Sequence, residues 1–318
     1  MSYPLPSHGE PSVIDWFRQF DRRSFDDEVL CRFAGGRVVG PGVILSPDGD
    51  TIALDVSVSF GEEVAHWMQR SRGIPAPRPL HGDIASVATI SGHTYFHWLL
   101  EELPRFLAAA SRGHDTIIAH RRLIGTVPAA IGYRGLLVDA AAGRHHVCEQ
   151  LSVESFYGST GHPTPEVVRI LQDFAPRIDT GEGTWGERLF VSRAHAAIRR
   201  LFNEEAIWSR LEPRGFRRLV LERMPWGEQI AAFSRARVIV APHGAGLANL
   251  VFCQPGTRVV EAFHPGFMHW VFWRIASLTG LDYRPVVGDG GGPLRHDLTH
   301  NRSDIVIDPG QIDSALAD

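Results

Sequence analysis

From residue 188 onward, short apolar runs alternate with amphipathic stretches. Arg188-Leu-Phe-Val-Ser, Arg217-Arg-Leu-Val-Leu-Glu, Arg237-Val-Ile-Val-Ala, Arg258-Val-Val-Glu-Ala-Phe and Asp282-Tyr-Arg-Pro-Val-Val have the β-branched and aromatic character of buried strands. Between them, 203–211, 225–236, 246–253 and 269–279 have helical spacing, with Asn203 where a cap belongs and Pro225 in a first turn. Strand and helix alternating over short links predict a parallel doubly wound sheet.

The pattern upstream is less regular. It predicts a helix over 13–20, strands at Arg37-Val-Val, Val43-Ile-Leu and Thr51-Ile-Ala-Leu, and a turn at Asp48-Gly-Asp. A helix follows over 62–70, then a proline-marked loop (Pro75, Pro77, Pro79), a strand over 84–90 and a long helix over 93–110 kinked at Pro104. Thr116-Ile-Ile-Ala and Gly135-Leu-Leu-Val are further short strands, and Thr164-Pro opens another helix. Asp179-Thr-Gly-Glu-Gly-Thr is the clearest linker. The chain therefore reads as two α/β domains, 1–180 and 181–318, with the last helix free to pack back on the first.

Composition narrows the chemistry. All 32 basic residues are arginine, so an anion must be held by arginine forks, backbone amides or histidine, and lysine-based covalent chemistry is excluded. A net charge of −4 gives no sign of a nucleic-acid partner. Three widely spaced cysteines without a C-x-x-C argue against a disulfide framework or a zinc site, and fit a reducing cytosol. The first ten residues lack the pattern of a secretory signal, and no run is long enough to span a bilayer. A cytoplasmic location is the expectation; peripheral membrane association and a homodimer stay open.

Several residues could carry chemistry. Strand Arg237-Val-Ile-Val-Ala runs into Pro242-His243-Gly244-Ala245-Gly246 and then a helix, a geometry that suits a diphosphate at a strand's carboxyl end; a bare G-x-G also marks a plain tight turn. His243 adds a donor. Arg193 ends one strand, with Arg199 and Arg200 in the loop behind it, of which only one is expected to point inward. Glu222 and Glu261, near strand ends, would accept hydrogen bonds from ribose or base. His93, His97, Glu101 and Arg105 recur every fourth residue as a polar stripe. On spacing alone this is a half-exposed amphipathic helix, but a histidine one turn from a glutamate also makes an oriented general base. Asp48-Gly-Asp50 reads as a turn rather than a metal-binding D-x-D, and no other grouping has metal-ligand spacing.

Taken in order, Tyr95-Phe-His-Trp-Leu-Leu-Glu101 with Leu103-Pro-Arg105, Phe190-Val-Ser-Arg193, Arg199-Arg200, Asn203-Glu-Glu, Leu221-Glu222, Glu228-Gln229, Pro242-His-Gly-Ala-Gly-Leu-Ala-Asn249, Pro255-Gly-Thr and Val260-Glu261 resemble glycosyltransferase family 61, in particular its bacterial capsular-polysaccharide members. The resemblance covers about residues 92–260. It implies a GT-B fold, with two Rossmann-like domains facing a cleft and the donor in the second. It also implies an inverting, metal-independent transfer without a cofactor, from a nucleotide sugar (usually UDP-linked) to a glycan or other hydroxyl acceptor. It places Arg193 and the His243-Gly244-Ala245-Gly246 segment on the diphosphate, Glu261 near the nucleoside, and Asn249 within the same motif. His97 supported by Glu101 is the expected base. A sugar-nucleotide epimerase or hydrolase and a non-catalytic nucleotide-sugar-binding subunit are the alternatives.

Overall fold

The computed structural model describes every residue except 26–27, 58–72, 121–124, 126, 142, 156–160, 182, 289–293 and 318. The helix expected over 62–70 lies outside the described residues. The chain divides into two compact units, Met1–Ser24 together with Asp179–Asp318, and Phe25–Ile178.

Residues 1–24, expected in the N-terminal domain, belong instead to the unit of 179–318. Helix α1 (Pro11–Arg18) presents Val13, Trp16 and Phe17 from one face. Phe17 is fully buried, with Phe263, Trp273 and Tyr283 around it at ring-centroid distances of 6.5, 5.2 and 5.8 Å. Burying one such aromatic contributes roughly 1.5–3 kcal/mol, enough to hold a short N-terminal helix in place.

The unit of 25–178 is built on one mixed sheet. Its strands are β1 (Leu30–Ala34), β2 (Arg37–Val39), β3 (Val43–Leu45), β4 (Arg78–Ser86), β5 (Thr116–Ala119), β6 (Leu136–Asp139) and β7 (His145–Glu154), in the order β3-β2-β7-β4-β5-β6 with β1 also on β7. β4, β5, β6 and β7 run parallel, while β1 and β2 are antiparallel to β7. Ile84, Ile118, Leu151 and Val153 lie in the core of this sheet.

Two expectations change here. Residues 51–54 make only the single bridge Leu45↔Ile52 before the short helix α2 (Leu54–Ser57). The proline-marked loop holds for Pro75 and Pro77 but ends at Arg78, where β4 begins, and Pro79 pairs with Val147. β5 pairs with β4 only at residues 84–86.

The long helix after β4 is interrupted. α3 (Tyr95–His97) passes into a π-helical segment (Trp98–Glu102) and then α4 (Leu103–Ser111). Pro104 can give no N–H to the carbonyl of Leu100, and its ring would press on it in a regular helix. Widening the preceding turn, with the Leu103 N–H donating to the Trp98 carbonyl, relieves both. All five residues of the π segment are buried. The remaining helices of this unit are α5 (Val127–Ala130) and α6 (Pro165–Phe174), the latter capped by Thr164, whose hydroxyl accepts the Val167 N–H.

The other unit carries a parallel five-stranded sheet of β8 (Arg188–Val191), β9 (Arg217–Leu219), β10 (Val238–Pro242), β11 (Arg258–Phe263) and β12 (Asp282–Val287) in the order β12-β11-β10-β8-β9. Its helices are α7 (Glu204–Leu211), α8 (Trp226–Arg235), α9 (Val271–Thr279) and α10 (Pro309–Leu316). The last helix stays within this unit, where Ile312 and Ala315 join Phe190, Val240, Val260 and Val286 in one core. The helix after β10 is a 3-10 helix, Ala245–Phe252. Asn203 does not cap α7; its side chain donates to the Ile307 carbonyl and accepts the Ile307 N–H, tying the tail to this helix.

Candidate active site

The strand order places a reversal between β8 and β10: the chain leaves β8 outward to β9 and returns on the other side to β10. Ligands of open parallel sheets bind beyond the carboxyl ends of the strands at such a point. What lies there is fixed from below by buried Glu204, which accepts the Ser192 hydroxyl at 2.6 Å and the Arg193 N–H at 3.1 Å. Arg193 then folds inward, giving Nε to the Arg199 carbonyl (3.0 Å) and Nη2 to the Ile198 carbonyl (2.7 Å). Gly244 closes the other side. Its φ of 175° is ordinary extended backbone, but a Cβ there would stand 2.1 Å from Nη1 of Arg193. The glycine makes room for an arginine. At Gly246 a Cβ would meet Leu221 at 2.6 Å, so that glycine serves packing of the 3-10 helix.

Arg199 is the inward member of its pair. It has φ 54°, a left-handed backbone that costs a non-glycine residue about 1–2 kcal/mol. Its guanidinium donates to the Asn301 carbonyl and side chain and lies 5.4 Å from the centre of the Phe267 ring. Burial and the charge of Arg193 bring it down to about 10, against the pull of Glu261. Arg200 is exposed and forked onto Asp304 at 2.7 Å. Glu222 is exposed on a 3-10 turn (Leu221–Arg223), because β9 ends at Leu219. Half-buried Ala245 opens the 3-10 helix. Asn249 is fully buried; its amide donates to Gln229 (3.0 Å) and to the Gly246 carbonyl (3.1 Å), bracing the loop.

His243 and Glu261 form one unit. Glu261 is fully buried on β11, and His243 Nδ1 sits 2.5 Å from its Oε1. The second oxygen accepts the Tyr283 hydroxyl at 2.6 Å. Both oxygens are thus bonded from within the protein, which sets Glu261 behind His243. Burial pushes the carboxyl well above the ordinary carboxylate range, with Tyr283 and Arg199 opposing. Burial, followed by His269, Arg199 and Arg193, holds the imidazole well below its usual value.

In the unit of 25–178, the polar stripe is divided: His93 is exposed and precedes α3, His97 is half-buried, and Glu101 and Arg105 are buried, contrary to a half-exposed helix along its length. Arg105 is fully buried and donates to the carbonyls of Val87 (3.1 Å) and Ser86 (3.5 Å). His97 Nδ1 lies 2.9 Å from Glu101 Oε2, and the other Glu101 oxygen accepts the Gly161 N–H at 3.0 Å. A second pair stands beside it in sequence: Glu102, fully buried, accepts the His120 N–H at 2.6 Å and faces His120 Nδ1 at 2.8 Å. Glu102, His120, Glu204 and Tyr283 were not singled out by sequence, because their partners lie 12 to 22 residues away and only the packing of helix on strand, or of strand on strand, brings them together. Among the described residues no group of His, Cys, Asp and Glu has the arrangement to hold a metal ion, and no helix is long and apolar enough to cross a membrane.

The family model described as Glycosyltransferase 61 matches residues 95–260, from the start of α3 into β11. The chain belongs to glycosyltransferase family 61. A comparison with curated proteins gave no match. As a glycosyltransferase 61 enzyme it transfers a glycosyl group from a donor to an acceptor. The match takes in both histidine–glutamate pairs of the π segment, Arg193, Arg199 and the His243–Gly246 loop, and ends one residue before Glu261.

Proposed function

We propose that this glycosyltransferase is an inverting, metal-independent enzyme of the GT-B type, moving a sugar from a UDP-linked donor to a hydroxyl acceptor in bacterial polysaccharide or glycoconjugate synthesis in the cytoplasm. The carrying observation is the β8/β10 reversal. Two inward-turned arginines, Arg193 and Arg199, meet there, held by carbonyls and an amide and, among the described residues, without a bonded carboxylate. Half-buried guanidiniums without a directly bonded carboxylate at a strand-end crevice suit a diphosphate, whose charge grows as the glycosidic bond breaks. In this reading they take the place of a divalent metal. His243, held by Glu261, presents its remaining ring nitrogen to the donor, and Ala245 and Gly246 offer amides at the start of the 3-10 helix.

The acceptor belongs on the unit of 25–178. There His97, oriented by Glu101, takes the proton of the attacking hydroxyl, and attack opposite the leaving diphosphate inverts the anomeric carbon. The test is calorimetric titration with UDP in the presence of EDTA, for wild type and Arg199→Ala. Binding without metal that falls at least tenfold in the variant supports the reading. A requirement for Mn²⁺ or Mg²⁺, or equal affinity in the two proteins, counts against it.

A further inference from the structure

The π segment ends in two consecutive glutamates, and each holds an imidazole. Glu101 takes His97 from the same helix; Glu102 takes His120 from the carboxyl end of β5. The second pair is the more deeply built. Glu102 has no exposed side-chain surface, whereas His120 retains 10 %. One carboxylate oxygen accepts the His120 backbone N–H, the other faces Nδ1, and no described residue bonds Nε2. The loop from β4 is shaped over the pair: a Cβ at Gly92 would fall 2.1 Å from Glu102 Oε2 and 2.6 Å from His120 Nδ1.

A buried carboxylate is expensive to desolvate. A glutamine at position 102 would accept the backbone N–H equally well, so structure alone does not call for the charge. What the carboxylate does is hold the ring as the Nδ1–H tautomer and leave Nε2 as a lone-pair acceptor. Two features place that nitrogen among groups for a ligand. It stands at the carboxyl edge of the parallel strands, one strand from the reversal between β4 and β7 in the order β6-β5-β4-β7. The exposed His93 ring lies 6.5 Å away.

We infer that His120, held by Glu102, is a second acceptor-side contact: its Nε2 accepts a hydrogen bond from a sugar hydroxyl of the acceptor other than the one that attacks. This rests on the proposed reading that the acceptor occupies the unit of 25–178. His120 orients the acceptor, and Glu102 is a positioning residue behind it.

Two measurements test it on the full chain. In protein labelled with ¹⁵N-histidine, long-range proton–nitrogen spectra, assigned by loss of a signal in His120→Gln, should show the Nδ1–H form at neutral pH. Glu102→Gln should weaken that preference. In initial-rate assays with a panel of methyl glycosides, His120→Gln should raise the acceptor KM about 10-fold, the worth of one hydrogen bond, with kcat and UDP affinity near wild type. His120→Asn, checked by thermal melting, guards against a folding failure. An Nε2–H tautomer, or an unchanged acceptor KM, overturns the inference. Loss of UDP binding by wild type would instead overturn the donor reading and leave the tautomer result standing.

Discussion

Gly244 gives up its side chain to the guanidinium of Arg193: a Cβ on the glycine would stand 2.1 Å from Nη1. The two residues come from the ends of different strands, β10 and β8, on either side of the reversal in the sheet. The arginine can hold its place only while the glycine stays bare.

Gly244→Ala is therefore expected to displace Arg193 without straining the backbone, since φ is 175° and any residue adopts it. Losing one charged hydrogen bond to a phosphate costs roughly 1.5–3 kcal/mol, or about 10- to 150-fold in UDP affinity. Calorimetry beside thermal melting checks it. A large drop in melting temperature with affinity preserved would reverse the assignment.

Arg199 combines a strained backbone with a proposed ligand contact, and substitutions separate the two. Arg199→Ala and Arg199→Gly should lose UDP affinity alike. The glycine variant should be more stable than the alanine variant by about 1 kcal/mol, because it relieves the left-handed φ of 54°. Arg200→Ala should leave UDP affinity unchanged, its guanidinium being taken by Asp304. Chemical denaturation with a binding titration on all three reads the outcome.

The His243–Glu261 pair has a predictable pH signature. His243 has a depressed folded pKa, so its contribution is present above the unfolded value of 6.5 and is lost as pH falls through it. Glu261 has a raised folded pKa, so its contribution is full below the unfolded value of 4.5 and is lost as pH rises towards the folded one. Between these two unfolded values the slopes oppose each other. Glu261→Gln should leave only the histidine slope, with melting temperature falling on acidification relative to wild type. His243→Gln should show the reverse. Parallel melting curves for all three proteins would show that the pair is not linked to folding.

His97→Ala should slow transfer by about 10²- to 10⁴-fold, the usual worth of a general base, with UDP affinity retained. Glu101→Gln should lose less, since an amide oxygen can still accept the Gly161 N–H. The double variant should be no worse than His97→Ala if the pair acts as a unit; additive losses would separate the roles.

What could be read from the sequence follows contact distance. Strands β8, β10 and β11 were legible because each is a largely apolar run buried on both faces of a parallel sheet, and the edge strands β9 and β12 because each alternates with a helical stretch. His97 and Glu101 were legible as neighbours because one helical turn joins them. Glu102–His120 and Glu261–Tyr283 were not, since the first needs a helix packed on the end of β5 and the second the pairing of β11 with β12. Local spacing also misled. The every-fourth-residue stripe through Arg105 has the look of a wet helix face, yet the guanidinium is buried on the carbonyls of Ser86 and Val87. The glycines of the loop after β10 were read as room for a ligand; at Gly244 the room is filled by Arg193.

The seating of α1 has a consequence for how the chain is made. Trp273 gives its indole N–H to the Pro4 carbonyl, Arg274 reaches the Phe20 carbonyl, and Phe20 stacks on Trp270 at 4.3 Å. The apolar face of α1 thus waits for partners synthesised some 250 residues later, on the order of 10–50 s at about 5–20 residues per second. Over that interval Trp16 and Phe17 are without their native cover while the unit of 25–178 has all its own residues and can close. Ribosome-bound chains halted before residue 258 should be cut by protease within 1–24 and resist it in the sheet of β4 to β7; protection of both segments at that length would mean that α1 finds another temporary seat.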